Sequence, residues 1–383
     1  MRDESGFGGG DAVAELLAEL HATADAPFDR ARAMPAGLYT SEAVCAREIA
    51  RVFRRDWVCV GRAGALPETG DYLTVDLGGE PVIVLRDGAG RLRAFSNVCR
   101  HRMSLLLEGR GNAQRIVCPY HAWTYGLDGA LRGAPAMTGN AGFRRGEISL
   151  PEFRCETWLG FVMVTLDPNA EPVAERLAEL SDMVAPFGLD GYGETFREER
   201  IWDTNWKALA ENFMESYHIP VCHAATVGPQ SRFEEMRCPP GRPGFNVHWI
   251  LKDDAVEIAL AHPENTRLDG DWRRTTGLFT IYPSLLLALA PGYFWYLSLH
   301  PDGPSRVRIL YGGGLAPDFA ADPCAAEHAA GLKTMLDAVN AEDKGCTERV
   351  YRGLRAGFAA PGPLSHLERP NHDFARYLAD RLC

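Results

Sequence analysis

The chain has 383 residues, 46% of them hydrophobic and 24% charged, and a formal net charge of −11. This composition excludes a disordered chain and leaves room for two folded domains. The acidic balance disfavours a nucleic acid or an anionic membrane surface as partner and is compatible with a cationic substrate.

The first ten residues, MRDESGFGGG, are acidic and glycine-rich and read as a frayed tail. They lack the basic region and apolar run of a signal peptide, so the protein is expected to be cytoplasmic. Helical apolar spacing covers 11–22, and a second helix is expected over 41–55 from a cap at Ser41. From Trp57 to about Phe161, short β-rich runs such as DYLTVDL and PVIVLRD alternate with glycine-containing turns, which predicts a small all-β module. A helical link over 171–188 follows, then a strand near 194–204, a helix over 205–218, strands between 245 and 315, and a helix over 323–357.

Residues 278–299 carry no charged side chain and are long enough to span a membrane. Pro283 and the Pro291-Gly292 pair divide the stretch, so it is expected to form two buried strands joined by a turn. The plan is an all-β module set into a larger α+β domain.

Ten cysteines are scattered along the chain, and no disulfide framework is expected. Eight of them have no partner pattern and read as small buried apolar residues. The other two belong to CRHRMSLLLEGRGNAQRIVCPYHAWTYGLDG, which begins at Cys99. Cys99 and His101 form C-x-H, sixteen residues intervene, and Cys118 and His121 form C-x-x-H. Two loops that each offer one thiolate and one imidazole suit a [2Fe–2S] cluster with Cys₂ on one iron and His₂ on the other. Structural zinc also accepts Cys₂His₂, but its usual pattern keeps the cysteines together and the histidines together.

With Arg102, Pro119, Tyr120, Trp123 and Gly126, this segment resembles the Rieske domain of the Rieske non-haem iron oxygenases. The resemblance implies Cys99 and Cys118 on the inner iron and His101 and His121 on the outer one, with Trp123 shielding the cluster. It covers about 36–378 and implies an α+β fold: an all-β Rieske domain (56–162) inserted in a helix-grip catalytic domain with a curved antiparallel sheet. The catalytic domain is then made of an N-terminal helical segment (1–55) and residues 163–383.

Downstream, NWKALAENFMESYHIPVCHAAT starts at Asn205. Two imidazoles and one carboxylate make the facial triad of non-haem Fe(II) oxygenases. His218 and His223 alone do not establish one, because either reads equally as a satisfied polar residue. The segment is similar to the catalytic motif of the same family. That similarity implies His218 and His223 as iron ligands, Glu215 as the acid bridging to a Rieske histidine of a neighbouring subunit, and Asn212 near the iron. Tyr217 and Glu211 read equally as packing or capping residues. The third ligand is then Asp343, in the helical segment NAEDKGCTERVYRGL (340–354). Glu342, about a quarter-turn away, remains the alternative.

The resemblance further implies O₂ as cosubstrate, a separate NAD(P)H-dependent reductase and a head-to-tail homotrimer. Glu215, where ring hydroxylases usually have Asp, and the tail GPLSHLERPNHDFARYL (362–378) look like the choline, carnitine and glycine-betaine type. A monooxygenase that hydroxylates a C–H beside a quaternary or tertiary nitrogen is therefore expected, giving N-demethylation or C–N cleavage. The run Tyr293 to Tyr296 offers rings for a methylated ammonium, though alternation turns only half of them to one face. Hydroxylation or O-demethylation of an aromatic acid is the alternative reaction. A non-catalytic Rieske electron carrier is the alternative of another class.

Overall fold

The structure, a computed structural model, describes residues 8–253 and 259–383. The tail expected at the N-terminus lies outside these for residues 1–7. The chain divides into two compact units, Phe53–Glu175 and Met1–Val52 with Arg176–Cys383.

In the first unit a seven-stranded antiparallel sheet runs, in spatial order, Val58–Arg62, Phe161–Thr165, Glu152–Trp158, Leu92–Ser96, Glu80–Arg86, Asp71–Leu77, Arg110–Asn112. Gly78 and Gly79, at φ 58° and 81°, form the two-residue turn between Leu77 and Glu80, a conformation that suits the twist of a tight hairpin. A three-stranded sheet joins Ile116–Val117, Thr124–Tyr125 and Leu131–Gly133. Cys99 and Cys118 belong to one buried cluster with Ile83, Phe95, Trp123 and Tyr125, so the loops that carry them are anchored by the unit's own core.

The second unit is built on a curved antiparallel sheet of seven strands. Their spatial order is Gly193–Trp202, Val307–Leu315, Tyr293–Pro301, Leu285–Leu289, Thr275–Ile281, Phe245–Leu251 and Met236–Arg237. Gly314 permits close approach at one end, where a Cβ would lie 1.7 Å from the Gly193 carbonyl oxygen. The uncharged stretch 278–299 contributes to three strands rather than two, because the chain reverses at Pro283 as well as at Pro291-Gly292. Among the described residues no helix is long and apolar enough to cross a membrane.

Helices Trp206–Met214, Ala325–Leu354 and Arg369–Leu382 complete this unit with Gly8–Asp25. The first is fixed at its N-terminus. Asn205 accepts from the Lys207 amide at 2.9 Å, and Trp206 Nε1 donates to Glu48 at 2.8 Å. Lys207 Nζ lies 2.6 Å from the other oxygen of Glu48, a fully buried ion pair. The helix expected to reach His218 ends at Met214 instead. Glu215 leaves it with extended backbone (φ −123°, ψ 159°), and its carboxylate accepts from the amides of Tyr217 and His218, competing with continuation of the helix.

Candidate metal centres

The two cysteine loops of the first unit share one backbone design. The Cys99 amide donates to Ser104 O and the Met103 amide to Cys99 O; likewise the Cys118 amide donates to Trp123 O and the Ala122 amide to Cys118 O. The residue four beyond each cysteine is left-handed although it is not glycine: Met103 at φ 55° and Ala122 at φ 53°. Such strain persists where the surroundings impose it, often at functional sites.

These loops bring His101 and His121 together, with ring centroids 4.8 Å apart, while Trp123 stacks on His101 at 4.8 Å. The Nδ1 atoms of both histidines are buried and have no hydrogen-bond partner among the described residues, as nitrogens reserved for a metal would be. Tyr125 Oη lies 3.3 Å from Cys99 Sγ and accepts from the Arg100 amide. Burial acts to raise the Cys118 thiol, but the amides of Tyr120 and His121 directed at the sulfur hold it below its ordinary value. Two thiols and two vacant imidazole nitrogens fit a Rieske-type [2Fe–2S] cluster.

In the second unit, the helix break at Glu215 and a short helix at Ile219–Cys222, opened by Pro220, set the two downstream histidines face to face. Asp343 reaches them from the long helix. Its Oδ1 lies 3.5 Å from His218 Nε2 and 3.1 Å from His223 Nε2, and it accepts from Asn212 Nδ2 at 2.8 Å. One ligand atom from each of His218, His223 and Asp343 falls within 4.8 Å of the others. Two imidazole nitrogens and one carboxylate oxygen fit a mononuclear Fe(II).

Each histidine also has its far nitrogen on an acid. His218 Nδ1 is 2.5 Å from Glu215, and His223 Nδ1 is 2.9 Å from Glu342, which also accepts from Thr226 at 2.6 Å. Glu342 therefore stands behind His223, and Asp343 is the acid between the rings. Burial works against protonated His218, yet Asp343 and Glu215 raise it to about 10; His223 is raised in the same way. The three acids thus create a demand for positive charge at this point.

Above these residues lies a pocket of about 790 Å³ including its open mouth. Strand alternation places Ile250, Lys252, Thr276, Leu278, Ala288, Tyr293 and Trp295 on its sheet side. Phe294 and Tyr296 face away; Phe294 packs on Tyr192, and Tyr296 donates to Glu194 at 2.7 Å. Asn212, Phe213, Leu336 and Val339 line the helical side. Glu211, outside this pocket, accepts from Tyr39 Oη at 2.7 and 2.8 Å, and Tyr217 is exposed.

Sequence reasoning missed three features. Glu342 orients His223, Lys252 enters the pocket, and Cys222 is disulfide-bonded to Cys346, contrary to the expectation of no disulfides. The last left a signal: Cys222 precedes His223, and Cys346 lies about one helical turn beyond Asp343.

The chain matches two family models, the Rieske [2Fe-2S] domain over residues 56–154 and the ring hydroxylating alpha subunit (catalytic domain) over 179–383. It is 34% identical to the carnitine monooxygenase oxygenase subunit of Acinetobacter pittii, over 74% of this chain and 72% of that protein. With the chloroplastic choline monooxygenase of Beta vulgaris it shares 29% identity over 93% of this chain and 78% of that one. The crystal structure of the quaternary ammonium Rieske monooxygenase CntA with L-carnitine superposes with a TM-score of 0.79 at 23% identity, covering 93% of this chain and 97% of that one, which shows a shared fold.

Proposed function

The chain belongs to the ring-hydroxylating alpha-subunit family of Rieske non-haem iron oxygenases, and from that premise we propose that it is the oxygenase component of a monooxygenase acting on a quaternary or tertiary ammonium compound. The observation that carries this reading is the convergence of His218, His223 and Asp343 at a pocket that also presents Tyr293 and Trp295. The ring faces suit a methylated ammonium, and the acids Glu215 and Asp343 add negative potential.

Cys99, His101, Cys118 and His121 would hold the cluster, and His218, His223 and Asp343 the mononuclear iron. When bound, these centres supply single electrons and dioxygen activation. Glu215 and Glu342 fix the tautomers of His218 and His223, so that each Nε2 is free to ligate. Asn212 holds the Asp343 carboxylate by one oxygen. The apolar walls exclude water and orient the substrate. A C–H beside nitrogen becomes C–OH, and cleavage of the C–N bond then releases an aldehyde. One oxygen atom enters the product and the other leaves as water, at the expense of an electron pair and protons.

The finer reading has Glu215 as bridge to a Rieske histidine of a second copy, in a head-to-tail trimer. In support, Met103, Leu105 and Tyr120 are exposed beside His101 and His121, and Tyr217 and Val221 are exposed beside Glu215. Electrons come from a separate flavin- or ferredoxin-type reductase that draws on NAD(P)H. A cytoplasmic setting is part of the same proposal, and the Cys222–Cys346 bond is the observation against it.

The test is aldehyde release from glycine betaine, carnitine and choline, against benzoate-type acids, with a generic reductase. Product from the aromatic set alone overturns the ammonium reading.

A further inference from the structure

Among the described residues that line the pocket, Lys252 is the one lysine or arginine, and it is out of place in a site for a plain ammonium. It continues the strand Phe245–Leu251, its amide donating to Arg274 O at 3.2 Å, so its side chain shares the face of Ile250 and Thr276. Only 7% of the residue is exposed. Among the described residues its ammonium has one hydrogen-bond contact, the Gln230 carbonyl at 3.5 Å, the outer limit of such a bond. Among the described residues Glu235 is the acid whose charge bears on it, but that carboxylate accepts from the amides of Arg232 and Asp253 and forms no ion pair with Lys252.

Thr276 stands across the strand pair on the same face, opposite Ile250 and two residue pairs along from Lys252. Its Oγ1 is buried and has no hydrogen-bond partner among the described residues. Both residues line the pocket and both are more than nine-tenths buried. An ammonium can make three hydrogen bonds and a hydroxyl one as donor, and leaving them unmet in a low-dielectric wall is costly. The group that satisfies both is an anion with several acceptor lone pairs.

We infer that Lys252 and Thr276 form a carboxylate subsite, so that the preferred substrate is a zwitterion with a carboxylate at one end and a methylated nitrogen at the other. This rests on the reading of the pocket as a substrate site for ammonium compounds. Lys252 selects within that class: it attracts a betaine-type carboxylate and repels an amino alcohol that carries only positive charge. Burial pushes the Lys252 ammonium below its ordinary value, and a bound carboxylate restores its charge.

The experiment compares matched pairs on the holoenzyme, in binding and in turnover: glycine betaine against choline, and γ-butyrobetaine against butyltrimethylammonium. Lys252→Met is expected to raise Kd and KM for the carboxylated member by about 30-fold or more while leaving the uncharged-tail member unchanged or improved. Thr276→Val, nearly isosteric, moves the same parameters in the same direction by a smaller factor, and Lys252→Arg retains most of the affinity. Equal effects of Lys252→Met on both members, or failure of every carboxylated probe to bind, overturn the subsite. If ammonium compounds are turned over regardless of a carboxylate and Lys252→Met changes neither, the subsite falls and the ammonium reading stands. If only benzoate-type acids bind and Lys252→Met weakens them, the ammonium reading falls and the carboxylate subsite stands.

Discussion

His223 Nδ1 lies 2.9 Å from Oε2 of Glu342 while its Nε2 lies 3.1 Å from Oδ1 of Asp343. Neighbouring acids on one helix thus meet opposite edges of a single imidazole. Glu342 and Thr226 hold the ring from behind, and Asp343 shares the inner space with His218.

Asp343→Ala is expected to abolish the mononuclear iron and turnover while the Rieske EPR signal remains. Glu342→Gln keeps the iron but weakens its binding by about 10–100-fold, the usual effect of losing a group that orients a metal ligand. Iron analysis after graded chelation, read beside EPR, checks both. Equal iron loss in the two variants would contradict the division of roles.

Glu215→Gln is expected to keep both metals and to lose turnover by about 100-fold or more, since a neutral amide neither fixes the His218 tautomer as a carboxylate does nor replaces it in the bridge proposed to a second copy's histidine. Reduction of the cluster followed by rapid mixing with oxygen separates the effects. Cluster reoxidation should slow, with the iron content unchanged.

The Cys222–Cys346 bond closes a sequence separation of 124 residues and ties the element before His223 to the helix of Asp343. Peptide mapping without reductant should recover the linked pair. Cys346→Ser is expected to lower stability by up to about 5 kcal/mol, the chain-entropy limit for so long a loop, and to speed loss of the mononuclear iron to a chelator. Unchanged iron retention would show that the link is dispensable for the site.

Burial lifts Glu211 from 4.5 to about 7, against the pull of the Tyr39 hydroxyl. The folded protein then holds a proton that the unfolded chain releases between these values. Its contribution is complete below pH 4.5 and is lost as pH rises through about 7. The stability of the parent protein relative to Glu211→Gln should therefore fall across that window, by about 1–3 kcal/mol. Denaturant unfolding at several pH values measures it, and a pH-independent difference would refute it.

What could be read from the sequence was what is local in it. Cys99 with His101, Cys118 with His121, and His218 with His223 are each close enough along the chain to be carried by one loop. The alternation of rings from Tyr293 to Tyr296 was likewise legible, because a strand alternates whatever it packs against. Resemblance added Asp343, which no spacing connects to the histidines.

The tertiary structure decided the rest. Helix propensity runs on to His218, but the Glu215 carboxylate takes the amides that a continuing helix would need. Glu342 and Asp343 are chemically close, and only the rotation of their helix against His223 separates orienting acid from candidate ligand. Nothing in the sequence singles out Lys252; its place in the pocket wall comes from strand pairing with Thr275–Ile281 and from the helices across the pocket. Local patterns specify which atoms are available to bind a metal, whereas long-range packing sets which of them converge and what charge they must accommodate.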